Sequence, residues 1–404
     1  MNPPPLNPAL FHLDDDHLWV MHCSEGPVPR ATMRAVRGFM QKELRPWEVR
    51  WEEDFLGLPA STRAEAAALV GGRPEDISLT PTTSSGLVTI AQGFPWAPGD
   101  EVVAPLGEFP SNAWPWLSLH QRGVSFREVP LWEGHRAGAQ AWTTTAPTER
   151  ADPEERLLEA LGPHSRLLAL SWVRFQDGLK LDLARLAEGC AERGVRLVVD
   201  GIQGAGTVPL VCDGLAAFAC GGHKGLLAPQ GVGFLWTAEA FRQSLSPSGS
   251  WLSVEEATHF ARPSTDFQRA WLPDGRALEP GGPNLLMASA LLESLRLIQG
   301  VGVPVIAAHI AGLQRRFLKT LEGSLWEREA ERLWNLLEAG RLGSILAFHH
   351  RGLGPQGLDQ ILRAGYHRGI FASVREGYLR IAFHGYHRES DADRLAEWLG
   401  GTAS

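Results

Sequence analysis

Four stretches of the chain combine residue types that can do chemistry together. The first is Val198-Val199-Asp200-Gly201-Ile202-Gln203-Gly204-Ala205-Gly206. An acid ending an apolar strand projects from the C-terminal edge of a sheet, where it can protonate a heterocyclic nitrogen and hold it cationic. Gln203, three residues on, can donate to a phenolic oxygen of the same ring. The second is Cys220-Gly221-Gly222-His223-Lys224-Gly225, which places Lys224 24 residues after Asp200. Its glycines let the backbone approach a ligand closely. Among apolar neighbours and beside a cationic ring, a lysine amine is freed to act as nucleophile and base. Basic charge is otherwise carried almost wholly by arginine, and lysine occurs only at Lys42, Lys180, Lys224 and Lys319. The third stretch, Thr80-Pro81-Thr82-Thr83-Ser84-Ser85-Gly86, sets hydroxyls and free N–H groups at a helix start, an anion cradle. The fourth is Arg380, flanked by Leu379 and Ile381 in a strand, where a guanidinium needs a partner and a carboxylate fits it bidentately. Each has a plainer reading: a turn aspartate, a solvated lysine, an N-cap cluster, an arginine paired to an internal acid. Jointly they supply a ring-nitrogen acid, a Schiff-base lysine, a phosphate seat and a carboxylate clamp. Pyridoxal 5′-phosphate requires all four.

The elements that must position these residues alternate along the chain. A helical stripe of Met33, Val36, Met40 and Leu44 runs to Pro46. A second helix is predicted from Ser61/Thr62, with Glu65 completing a capping box around Thr62, to Gly71-Gly72. Strand-like runs follow at 77–80, 101–105, 126–131, 166–173, 195–200, 216–221 and 231–236. Helical segments at 84–92, 111–121, 152–161 and 182–193 lie among them. The strands read as continuous apolar runs, so both faces should be buried. That indicates an α/β fold, a mostly parallel, doubly wound sheet with helices on both sides. Past residue 280 the style changes to helices at 287–299 and 304–321, strands at 344–348, 370–374 and 378–383, and a final helix from Ser390 boxed by Asp393. The expected organisation is an N-terminal arm (1–30), a large cofactor-binding domain (31–280) and a smaller α+β domain (281–404).

Composition narrows the function classes. With 404 residues, 44% hydrophobic and 21% charged, the chain suits a soluble two-domain enzyme. A net charge of −8 disfavours nucleic-acid or membrane-surface partners, which call for a basic face. No basic-then-apolar leader opens the sequence and no apolar run reaches the roughly 18–20 residues of a membrane span, so a cytoplasmic location is expected. Cys23, Cys190, Cys212 and Cys220 show no CxxC spacing, and His384 and His387 lack companion ligands, so no metal is expected.

In motif order, from about residue 20 to residue 395, the chain resembles the class V aminotransferases. These are the branch of fold-type I pyridoxal-phosphate enzymes that includes cysteine desulfurases, kynureninases and isopenicillin-N epimerase-like proteins. The family's Asp-x-x-Gln falls on Asp200 and Gln203, its His-Lys pair on His223 and Lys224, and its phosphate turn on Thr82, Thr83 and Ser84. The Glu-x-x-x-Asn stretch falls on Glu108 to Asn112, which implies Phe109 over the cofactor ring and Asn112 beside the substrate. The C-terminal arginine is Arg380. The resemblance further implies a small amino-acid substrate and a homodimer with the site at its interface. There are departures. Gly221 stands where a phosphate-binding serine is common, Phe175 replaces a frequent asparagine, and Gly281-Gly282-Pro283-Asn284 lacks the usual threonine. These imply a thinner phosphate cup. Desulfurization needs a thiolate on a loop before Arg380, and 362–376 has no cysteine, although Cys23 lies where the arm should approach the site. Desulfurization is therefore less expected, and among the open outcomes transamination is placed slightly ahead of epimerisation or elimination.

Overall fold

A computed structural model describes residues 3–350 and 352–400. In chain order its first half contains β1 (Leu18–Trp19), α1 (Arg30–Glu43), α2 (Leu58–Val70), β2 (Ile77–Thr80), α3 (Thr83–Gly93), β3 (Glu101–Pro105), α4 (Trp114–Leu117), β4 (Ser125–Val129), α5 (Pro153–Ala160), β5 (Ser165–Ser171), α6 (Leu183–Glu192) and β6 (Arg196–Asp200). There follow β7 (Ala217–Gly221), β8 (Gly233–Thr237), α7 (Glu239–Arg242), α8 (Leu285–Val301), α9 (Val303–Lys319), α10 (Glu327–Glu338), β9 (Ile345–His349), α11 (Gly354–Tyr366), β10 (Ile370–Phe371), β11 (Ser373–Arg375), β12 (Tyr378–Ala382) and α12 (Glu389–Gly400).

Seven strands form the central sheet in the order β2-β8-β7-β6-β5-β3-β4. β8 runs antiparallel to both of its neighbours and the other pairings are parallel. Alternate residues of one strand enter different cores. Leu167 and Ala169 pack with Leu87 and Ile90 of α3, while Leu168 and Leu170 pack on the opposite face with Leu186 of α6. Both faces are covered, which is why the strands read as runs. The expected α/β architecture is present, with a smaller C-terminal sheet, β11-β12-β9, beside it.

Three local expectations are corrected. α2 starts at Leu58 after a wide, π-type turn over Trp51–Gly57, with Pro59 in its first turn. Thr62 is thus inside the helix and caps nothing: its hydroxyl donates to Leu58 O at 2.8 Å. The expected helix over 111–121 is broken into short turns because Pro110 and Pro115 each remove a helical N–H. Asp393 is no capping residue of α12, and instead pairs with Arg316 at 2.8 Å.

The N-terminal segment is built into the C-terminal sheets. β1 pairs in parallel with β10, Met21 bridges Ala382, and Leu6 N–H donates to Gly385 O at 3.0 Å. Two buried histidines fix this junction. His387 Nε2 donates to Trp19 O at 2.9 Å and His384 Nε2 donates to Gly225 O at 2.9 Å. Their Nδ1 atoms accept backbone N–H groups from His384 and Gly385, so both rings are held neutral. No single helix among the described residues is long and apolar enough to cross a membrane.

Candidate active site

Asp200 closes β6, Gly221 closes β7 and Ser171 closes β5, so the loops that follow gather at one edge, the C-terminal edge of the parallel strands. They enclose a cavity of about 340 Å³ to which Asp200, Gln203, His223 and Lys224 all contribute. Thr82, Thr83 and Ser84 enter it from the start of α3, and Phe109, Phe175 and Arg380 complete much of the wall.

Lys224 is 9% exposed and makes no hydrogen bond through its ammonium among the described residues. Burial lowers its pKa, with Asp200 opposing. Its Nζ stands 5.5 Å from the centre of the Phe109 ring. Asp200 is 3% exposed, and burial raises its carboxyl to about 6 although Ile202 N–H donates to Oδ1 at 3.0 Å and Lys224 favours the anion. The loop behind Lys224 is pinned by the arm, since Gly26 N–H donates to His223 O at 2.7 Å. A Cβ on Gly26 would collide with Lys224 O and come within 2.8 Å of Leu227 Cδ2, so only glycine permits this approach.

At the start of α3, Thr82 caps the helix by accepting Ser85 N–H at 3.0 Å. Thr83 Oγ1 accepts Gly221 N–H at 2.8 Å, which leaves its proton free to donate, and Ser84 donates to Ser111 at 2.7 Å. The N–H groups of Thr83 and Ser84 have no intrahelical acceptor, so this end of α3 attracts an anion. A Cβ at Gly221 would meet Ile202 Cδ1 at 3.2 Å and Thr83 Oγ1 at 3.3 Å. A serine there would have to displace these side chains by a few tenths of an ångström.

Arg380 supplies the most informative electrostatics. The described residues contain three buried arginines. Arg174 is paired with Asp177 at 2.9 Å and Arg242 with Asp76 at 3.0 Å. Among the described residues Arg380 has no acidic partner. It donates to Ser373 Oγ at 2.9 and 3.1 Å, to Phe175 O at 2.6 Å and to Ser24 Oγ at 3.4 Å, all neutral acceptors. Burial pushes its pKa below the ordinary value.

Asn112 lies outside the cavity. Its Oδ1 accepts Trp116 Nε1–H at 3.1 Å and its amide donates to Glu108 at 3.4 Å, so the substrate role expected of it is not available in this arrangement. Glu108 is itself held by Ser171 through the backbone N–H at 2.9 Å and the hydroxyl. Gln203 reaches the cavity, and its Nε2 donates to Cys23 O at 3.0 Å. The turn at Gly281–Asn284 caps α8 through Asn284 Oδ1. All four cysteines are buried, but only Cys23 lines the cavity, and burial raises the thiols of Cys190, Cys212 and Cys220. Sequence reasoning missed Ser24 and Arg375 in the wall, and Ser373 behind it as a partner of Arg380. Ser373 was foreshadowed by the turn at Glu376-Gly377, which folds β11 onto β12 and sets residue 373 opposite 380.

The donor set fits pyridoxal phosphate. A desolvated acid, a desolvated amine and a helix start with unused N–H groups share one cavity, as a ring nitrogen, an aldehyde and a phosphate together require. The fold and this site define a pyridoxal-phosphate-dependent enzyme of fold-type I. The aminotransferase class-V family model matches residues 52–395, and the chain belongs to that family. It is 28% identical over 392 residues to isopenicillin N epimerase of Streptomyces clavuligerus, covering 93% of this chain and 92% of that protein. It is 26% identical over 423 residues to cysteine desulfurase CsdA of Escherichia coli, covering 96% of each. Among solved structures, a C-DES mutant with glycine covalently linked to the PLP cofactor superposes with TM-score 0.81 at 20% identity, covering 98% and 99% of the two chains. The apo cysteine desulfurase of Thermococcus onnurineus NA1 superposes with TM-score 0.79 at 19% identity, covering 100% and 98%.

Proposed function

We propose that the chain binds pyridoxal phosphate on Lys224 and acts as an aminotransferase on a small amino acid with a free α-carboxylate. The observation that carries this reading is Arg380, a buried guanidinium with no acid of its own, in the same cavity as Lys224 and Asp200. A buried unpaired charge is costly, and an incoming carboxylate removes that cost. When bound, the cofactor supplies an electron sink for the substrate α-carbon. Asp200 holds the ring nitrogen cationic, and a cation against it would return its raised pKa to the anionic range. Phe109 covers one ring face. Thr83, Ser84 and the start of α3 take the phosphate, with His223 and Gln203 as further contacts. Lys224 Nζ moves the proton at the substrate α-carbon, and burial lowers its pKa, which favours the free amine.

Epimerisation is the second reading, supported by the isopenicillin N epimerase relatives and by Cys23, a thiol-bearing side chain in the cavity wall beside Lys224. Desulfurization is less well served, because Cys23 is fixed through its own carbonyl to Gln203 rather than carried on a mobile loop. A homodimer in the cytoplasm completes the proposal. Borohydride reduction of the purified protein should fix the cofactor to the Lys224 peptide. An adduct on another lysine, or none, overturns the assignment. Conversion of an amino acid and a 2-oxo acid into the exchanged pair should separate transamination from epimerisation, which inverts the amino acid without a second product.

A further inference from the structure

The cavity holds a second guanidinium with a different setting. Arg375 lines it together with Arg380, yet Arg375 is exposed where Arg380 is buried. The two belong to one hairpin. Ser373 faces Arg380 and Arg375 faces Tyr378, so Arg375 and Arg380 are diagonal neighbours on adjacent strands, about 7–8 Å apart at the backbone. Among the described residues Arg375 forms no ion pair, and the acid next to it in sequence, Glu376, is not within bonding distance. The two like charges repel, and each is held near the other by the hairpin rather than by a counter-ion. Beside them two aromatic rings make part of the lining apolar. The rings of Phe109 and Phe175 meet edge to face at 5.2 Å, and Phe175 O is bonded to Arg380.

This sets out a charge pattern for the ligand. A deep cation, an apolar wall and a cation at the solvent end match a molecule with an anion at each end and methylenes between. We infer that the substrate is an amino acid whose far end carries a second anionic group, and that Arg375 binds it. The inference rests on the proposed function, in which Arg380 takes the α-carboxylate. With Arg380 holding one end at depth, the other end reaches the mouth, where an exposed arginine still selects charge and strengthens encounter. Because Arg375 is exposed, replacing it leaves the fold intact.

The test is binding, read in two ways. Ligands of matched length are titrated into the holoenzyme and followed by the absorbance of the bound cofactor: glutamate against norvaline, and 2-aminoadipate against norleucine. The same protein is titrated calorimetrically with glutarate and with valerate, which bind without reacting. The expected result is that the doubly anionic member of each pair binds about tenfold or more tightly, the difference shrinking with added salt. Arg375→Gln should erase that difference while leaving norvaline binding unchanged, and Arg375→Glu should reverse it in favour of ornithine. Equal affinity within each pair, or a preference that survives Arg375→Gln, overturns the inference. Neither result touches the cofactor adduct on Lys224. Failure of that adduct would instead remove the functional reading itself.

Discussion

Replacing Asp200 with asparagine should set stability against function. The carboxyl is 3% exposed, and burial raises its pKa from 3.8 to about 6 despite the Ile202 N–H on Oδ1 and the charge of Lys224. A group that holds its proton more tightly when folded destabilises the fold once it ionises, here by about 3 kcal/mol. The penalty is absent below pH 3.8, grows up to about pH 6 and is constant above that. Asparagine keeps the oxygen that accepts from Ile202 and removes the charge. Cofactor-free Asp200→Asn protein should therefore be more stable than the parent at pH 8, by up to about 3 kcal/mol, and the gain should shrink as the pH is lowered toward 4. Unfolding midpoints of the two proteins across that range measure it. Added pyridoxal phosphate should invert the order, because the anion then has a cationic ring as partner and the parent gains binding energy that the variant lacks. A variant that is less stable at pH 8, or a difference independent of pH, would refute the view of Asp200 as an anion held at a cost for the cofactor.

Other substitutions probe other parts of the site. Arg380→Ala should weaken amino-acid binding roughly 10- to 150-fold while leaving the cofactor absorbance in place, since charge-assisted hydrogen bonds to the carboxylate are lost. Gly26→Ala should push the arm off the Lys224 loop, and the check is a lowered unfolding temperature together with faster borohydride-independent loss of cofactor on dialysis. His384 is held neutral, with burial lowering its pKa to about 3. The unfolded chain therefore takes up the proton first, and stability should fall as the pH drops below about 6.5. Replacing His384 with glutamine should flatten that part of the pH–stability curve.

The chemistry was more legible than its surroundings. Asp200 and Lys224 could be placed because each ends or follows a continuous apolar run, and a buried strand leaves little choice about where its last residue points. The hydroxyl run before α3 was legible for a similar reason, since a helix start leaves N–H groups unpaired wherever it falls. Asn112 was not: whether its amide faces a ligand depends on Trp116 and Glu108, and the broken helix that brings Trp116 near follows from two prolines whose combined effect is tertiary. Thr62 had the spacing of a cap, but the helix had already begun at Leu58. The arm looked irregular because β1 is two residues long and finds its partner, β10, hundreds of residues later.

That late pairing has a consequence for how the protein is made. The backbone around Lys224 is tied to Gly26 and, through Gly225, to His384, while Leu6 waits for Gly385. During synthesis the nucleophilic amine emerges well before the turn at residues 384–387 that anchors its loop. The aldehyde of the cofactor thus meets a finished pocket only after residues 384–387 have left the ribosome. Loading should accordingly follow synthesis of that turn, and truncation before residue 384 should leave a protein unable to retain its cofactor even though every residue that touches the ring has been translated.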